Sequence, residues 1–155
     1  MERIVNQIHG LLIKNKKTIA IAESCTGGLL SSLLTRIPGS SQYFILGVVA
    51  YSNKAKETIL KIPSSIITKN GAVSKQVAIK MARNIRKLAK TDFGIGVTGI
   101  AGPTGAIPSK PVGTVFIAID TKNKKTCKRF HFTGNRINVR KNAALKSLDL
   151  LKLLV

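Results

Sequence analysis

The sequence predicts an α/β fold: a three-layer α/β/α sandwich built on a mixed, mainly parallel sheet, within a single domain over residues 1-155. Three observations carry this. Short apolar runs of strand length alternate with stretches of helical periodicity, which is the pattern of a parallel sheet covered on both faces. Glycine-bearing turns follow three of those runs. One late pair of runs flanks a polar turn and reads as a hairpin, which supplies one antiparallel member. A chain of 155 residues with 44% apolar content is the size of one domain with a real core, and it contains no internal repeat or low-complexity linker.

In chain order, Ile4, Val5, Ile8, Leu11 and Leu12 recur at helical spacing. Thr18 to Ala22 is a strand-length apolar run that ends at Ser24-Cys25-Thr26-Gly27-Gly28, after which Leu29 to Ile37 reads as a helix stopped by Pro38 and Gly39. Tyr43 to Ala50 is a second strand, leading through Tyr51-Ser52-Asn53 into a short helix from about Lys54 to Leu60, capped by Ser52 or Asn53 and closed by Pro63. Ser74 caps a long helix in which Val77, Ala78, Met81, Ala82, Ile85, Leu88 and Ala89 share one face and lysines and arginines the other. Phe93 to Val97 is a strand running into the glycine-rich loop Gly99 to Gly105. Val115 to Asp120 and Thr126 to Phe132 form the hairpin, and the last helix spans about Asn138 to Leu153.

Composition narrows the function classes. No apolar stretch approaches the roughly 20 residues of a membrane span, and Met1 to Lys17 mixes charged and apolar residues where a signal peptide would show a continuous apolar block. Cys25 and Cys127 lie far apart, without the spacing of a zinc site or a disulfide framework. The expectation is a protein of a reducing cytoplasm, with no membrane partner. The formal charge of +20 would by itself suggest nucleic acid. The cations, however, run from Arg3 to Lys152 in short groups such as Lys122, Lys124, Lys125, Lys128 and Arg129, and no aromatic residues interleave to stack bases. A solvated lysine-rich surface is the favoured reading, and a nucleic-acid partner the alternative.

What is missing also narrows the mechanism. His9 and His131 are the two histidines, and neither neighbours a nucleophile in sequence, so a Ser-His-Asp triad is not expected. The six carboxylates show no metal-ligand spacing, so neither a metal nor a cofactor is expected. Ser24, in the turn from Glu23 to Gly28 at a strand end before a helix, sits where backbone amides and the helix dipole favour an oxyanion or a phosphate. A simple helix cap is the competing role, and Cys25 competes as nucleophile, with a small buried side chain its alternative. A serine without histidine needs another base. Lysine serves when burial or nearby cations pull its pKa down from about 10.4, and Lys56 is one candidate among many lysines.

At these residues the chain resembles the CinA C-terminal family of nicotinamide-nucleotide amidohydrolases. The resemblance lies in Ala22-Glu23-Ser24-Cys25-Thr26-Gly27-Gly28, Tyr51-Ser52-Asn53 with Lys56, Gly71-Ala72-Val73-Ser74, Gly99-Ile100-Ala101-Gly102-Pro103, Lys110-Pro111-Val112-Gly113-Thr114-Val115, and Gly134 with Arg136, Val139 and Arg140, in that order across nearly the whole chain. It implies a Ser/Lys hydrolase that converts nicotinamide mononucleotide to nicotinate mononucleotide and ammonia, with Ser24 as nucleophile and Lys56 as base. Turn amides from Cys25, Thr26, Gly27 and Gly28 are then expected to hold the oxyanion. Tyr51 and Thr98 are helpers or closers of their turns. The loop bearing Gly99 and Gly102, with Arg136 and Arg140, is expected to meet the substrate's ribose and phosphate, surface cations being the alternative for the arginines. Where the family commonly has an acidic or glycine-rich stretch after the proline, this chain has Thr104 to Ser109. The N-terminal domain of full-length CinA proteins is not in this sequence, so that domain's pyrophosphatase activity is not expected, and a homo-oligomer is the default assembly. A catalytically silent competence- or damage-associated nucleic-acid-binding protein, or a Ser/Lys amidase acting on another small amide, are the alternatives.

Overall fold

The computed structural model describes all residues, 1–155. Helix α1 (Glu2–Lys14) precedes β1 (Ile19–Glu23), α2 (Leu29–Leu34), a 3-10 turn at Ser40–Gln42 and β2 (Phe44–Val49). The chain continues through α3 (Asn53–Thr58), α4 (Ser64–Asn70), α5 (Lys75–Ala89), β3 (Phe93–Gly99), β4 (Thr114–Asp120), β5 (Lys125–His131) and α6 (Arg136–Lys152). The strands form one sheet in the order β2-β1-β3-β4-β5. β1 is parallel to both β2 and β3, whereas β4 is antiparallel to β3 and β5. Four strands therefore run one way and β4 alone runs against them, as the alternation and single hairpin predict.

The sheet is covered on both faces. Ile19 and Ile21 of β1 pack with Ile95 and Val97 of β3 against α1, α2 and α6, in a core that includes Val5, Ile8, Leu12, Leu30, Leu34, Ala143 and Leu148. On the opposite face Ala20 and Ala22 meet Leu60, Ile62, Ile67, Val77, Met81 and Ile85. The alternation of large and small residues along β1 follows from the period of two along a strand. It lets α5 lie close to the sheet, and β3 brings it closer still. A Cβ at Gly94 would lie on the Ala82 carbonyl oxygen and one at Gly96 on that of Ala78. The central strands β1 and β4 are buried throughout, while β2 and β5 form the edges; on β5, Lys125, Lys128, Arg129 and His131 are exposed.

Two local readings change. The sequence closes the region after Leu60 at Pro63, but Pro63 instead precedes α4, whose Ile66 and Ile67 pack on the α5 face of the sheet. With two adjacent isoleucines as its only apolar residues, this two-turn helix carries no periodic signal. Gly99 is the second. Expected in a loop, it closes β3 opposite Val115, where a Cβ would stand 2.8 Å from the Thr114 carbonyl and 3.0 Å from the Cys25 sulfur.

Candidate active site

The carboxyl ends of β1, β2 and β3 lie side by side, and three chain segments leave the sheet there. Ser24 follows β1 directly. Its N–H donates to the Val97 carbonyl on β3 at 2.9 Å, and the Glu23 carbonyl accepts from Ala50 beyond β2 at 2.9 Å, so backbone bonds to both neighbouring strands fix the serine's position. Lys56 comes from α3, whose first turn is capped by the Ser52 hydroxyl accepting from the Ala55 N–H at 3.0 Å. A cap of this kind contributes about 1 kcal/mol, enough to matter in a six-residue helix. The lysine side chain passes inward until only 1% of the residue is exposed.

There its Nζ lies 3.1 Å from Ser24 Oγ, 2.9 Å from the Ala50 carbonyl oxygen and 3.3 Å from that of Tyr51. Burial pushes the ammonium pKa down from the usual lysine value, and the neighbouring Cys25 sulfur opposes this only when its thiol is ionised. No carboxylate pairs with this amine. A neutral amine has two N–H bonds and one lone pair. With the carbonyls of Ala50 and Tyr51 taking the two N–H groups, the lone pair is left for the Ser24 hydroxyl proton. Such an arrangement can serve as a base beside a nucleophile.

Cys25 offers no rival. Burial raises its thiol pKa to about 12, with its own backbone N–H pulling the other way, so at neutral pH it is a packed thiol rather than a nucleophile. His9 bonds the Tyr43 hydroxyl at 3.3 Å and His131 is exposed on the edge strand, both away from Ser24. No cluster of metal-ligating side chains exists.

The turn after Ser24 carries a correction. Gly27 and Gly28 do adopt positive φ, +61° and +93°, as glycine permits. Their amides, however, do not face a ligand. Gly27 N–H donates to the Ser24 carbonyl at 3.1 Å, and Gly28 N–H donates to Glu23 Oε2 at 3.0 Å. The fully buried Glu23 carboxylate also accepts from the N–H groups of Leu30 (3.1 Å) and Ser31 (2.8 Å) and from the Ser31 hydroxyl (2.6 Å). An internal carboxylate thus fills the anion position at the start of α2, the role the sequence reading reserves for substrate. The amides of Cys25 and Thr26 make no hydrogen bond to another residue; Cys25 lines the cavity beside Ser24, whereas Thr26 is fully buried and does not.

Arg140 likewise differs from its expected role. Its Nε and Nη2 donate to the Thr26 carbonyl at 3.2 and 2.9 Å, and the guanidinium lies against Gly27, so it braces the turn after Ser24 from behind. Arg136 reaches the mouth of the site, donating to the Gly102 carbonyl at 2.8 Å and to the Tyr51 hydroxyl at 2.7 Å. Thr98 is buried, its hydroxyl donating to the Ala72 carbonyl at 2.9 Å. Ser24, Cys25, Tyr51, Lys56, Thr98, Gly99 and Arg136 all line one cavity of about 180 Å³. Thr26, Gly27, Gly28, Gly102 and Arg140 do not line it, and Asn53, Ala72, Val73 and Ala101, which sequence reasoning did not select, do. Asn53 and Ala72 stand in the blocks around Tyr51 and Gly71, which were the available signal.

The model of the CinA C-terminal domain matches residues 1–155. This chain belongs to that family. A competence-damage inducible protein of Thermoanaerobacter pseudethanolicus is 49% identical over 98% of this chain, and a CinA-like protein of Thermotoga neapolitana is 46% identical over 97%. The chain spans 36% and 37% of the lengths of these two relatives. The crystal structure of a competence/damage inducible protein from Agrobacterium tumefaciens superposes with a TM-score of 0.96 at 34% identity, covering 99% of this chain and 94% of that one. A competence damage-inducible protein from Klebsiella pneumoniae gives 0.94 at 30% identity, covering 97% and 94%. The fold and the CinA membership therefore agree. No helix is long and apolar enough to cross a membrane.

Proposed function

We propose that the chain is an amidohydrolase acting on a pyridine nucleotide, converting nicotinamide mononucleotide and water to nicotinate mononucleotide and ammonia. The observation that carries this reading is the buried contact of 3.1 Å between Lys56 Nζ and Ser24 Oγ, with both lysine N–H directions occupied by backbone carbonyls.

Neutral Lys56 takes the Ser24 proton as Oγ attacks the carboxamide carbon. The developing oxyanion is held by the amide of Cys25, which lines the cavity. The Lys56 ammonium then returns its proton to the leaving nitrogen, the C–N bond breaks and ammonia departs, leaving an ester on Ser24. Water, deprotonated by the same amine, attacks that ester; Ser24 Oγ leaves and recovers a proton from Lys56. The cavity of about 180 Å³ suits the pyridine carboxamide, with ribose and phosphate outside its mouth, where Arg136 stands beside the exposed Tyr51. A phosphate there gains a charge-assisted contact.

The test is release of ammonia and nicotinate mononucleotide by the purified protein, beside Ser24→Ala and Lys56→Ala. Turnover by the parent, reduced at least about a thousand-fold in both variants, is expected. A folded parent that leaves nicotinamide mononucleotide intact overturns the substrate, and turnover that survives Ser24→Ala overturns the mechanism.

A further inference from the structure

The basic residues look dispersed along the chain, but the fold gathers a group of them at the end of the sheet opposite Ser24. β3 runs seven residues from Phe93 to Gly99, so this end lies about 20 Å from the active site. One cleft there, of about 290 Å³, is walled by Arg83, Arg86 and Lys87 of α5, by Lys122 and Lys124 of the turn between β4 and β5, and by Lys125 at the start of β5. A second, of about 360 Å³, shares Arg86, Thr121, Lys122 and Asn123 with it and adds Lys17 and Lys90.

The two acids in this region are already committed. Asp120 accepts from Arg86 Nε at 2.6 Å, and Asp92 is held by Lys17 at 3.2 Å and by the N–H and hydroxyl of Thr18 at 2.9 and 3.0 Å. Arg83, Lys87, Lys90, Lys122, Lys124 and Lys125 are all exposed, and their side chains have no partner. Six like charges around two clefts that share Arg86 and Lys122 repel one another, an effect screened over a Debye length of about 10 Å at 0.1 M salt. The C-terminal turn of α5 offsets part of that cost for Lys87 and Lys90 only. An external polyanion would offset the rest.

We infer that this double cleft is a docking surface for the sugar-phosphate backbone of nucleic acid, bound without regard to sequence. The first cleft has no apolar lining residue, so it offers neither base stacking nor a hydrophobic anchor. Its concave shape, walled by cations on two sides, suits a ridge of phosphates. A flat bilayer surface would meet the rims alone. The inference stands independently of the reaction at Ser24.

The test is fluorescence anisotropy of the full chain with two 20-base-pair DNA duplexes of scrambled sequence, titrated from 50 to 200 mM salt. Equal affinity for both duplexes is expected, with log affinity falling linearly in log salt. The triple variant Lys122→Ala, Lys124→Ala, Lys125→Ala should bind at least about tenfold more weakly and reduce the salt slope by about 2 to 3. Arg83→Ala with Lys87→Ala tests the other wall, so the inference stays open to failure even if the turn variant unfolds. A charge-matched control, Lys61→Ala, Lys69→Ala, Lys141→Ala, removes exposed lysines outside the clefts and should retain parental affinity. Equal weakening by this control would overturn the site in favour of delocalised charge. Absence of binding at 100 mM salt overturns the partner, as does tighter binding to phosphatidylserine vesicles than to the duplexes.

Discussion

Lys56 is the residue whose behaviour differs most from its kind. Its pKa is held below the ordinary 10.5 by burial, so between the folded and unfolded values the unfolded chain binds more protons at this site than the native state does. Stability therefore rises with pH across that window, and below the folded pKa the native state carries the whole cost of a buried ammonium. Lys56→Met should abolish turnover while stabilising the fold, and its gain in urea midpoint over the parent should shrink as the pH rises toward 10.5. A gain unchanged between pH 7 and pH 10.5 would contradict a depressed pKa. Turnover of the parent should rise with pH through the folded pKa of Lys56, since only the neutral amine can accept the serine proton. Glu23 makes a different case. Replacing it by Gln places an amide NH₂ among donors, leaving backbone N–H groups at the start of α2 unpaired, a loss of about 2 kcal/mol or some 4–8 °C in melting temperature. Because Glu23 touches the turn rather than the substrate, Glu23→Gln should lower kcat severalfold with KM nearly unchanged in steady-state kinetics.

At the scale of elements, how closely a helix approaches the sheet depends on small residues. α5 lies so near β3 that Gly94 and Gly96 leave no room for a methyl group against the carbonyls of Ala82 and Ala78. Gly96→Ala should cost about 1–3 kcal/mol or more, read as a lower urea midpoint, because backbone rather than a flexible side chain must move. These glycines also explain what was legible. The long α5, α1 and the alternation of strands stood out because their apolar residues repeat at the period of their element. α4 and the extension of β3 to Gly99 did not, the first for want of a periodic stripe and the second because glycine signals a loop unless a close neighbour demands it.

Across the whole molecule, the sheet separates two kinds of surface. The carboxyl ends of the strands hold a small cavity with a buried lysine; the opposite ends hold open clefts crowded with cations. The turn at Ser24 was legible in the sequence because a strand, glycines and a helix meet there. The lysine was not, since one lysine looks like another until topology puts α3 beside the end of β1; only the family blocks singled it out. The basic end was hidden for the same reason: Arg83 and Lys87 on α5 and Lys122 after β4 belong to separate segments that only the pairing of β3 with β4 draws together. Glu23 and Arg140 lay within the family blocks, yet their internal bonding to the turn needed coordinates.

The edge strand β5 shapes how copies of the chain meet. Its unpaired backbone would invite another strand to extend the sheet, but Lys125, Lys128 and Arg129 stand exposed along it. A second copy approaching in register would bring the same three cations against these, and charge on an edge is what keeps β-sheets from growing into fibres. The lysines that make the protein so basic therefore also act as a barrier to aggregation on this side, one that concentrated salt would lower.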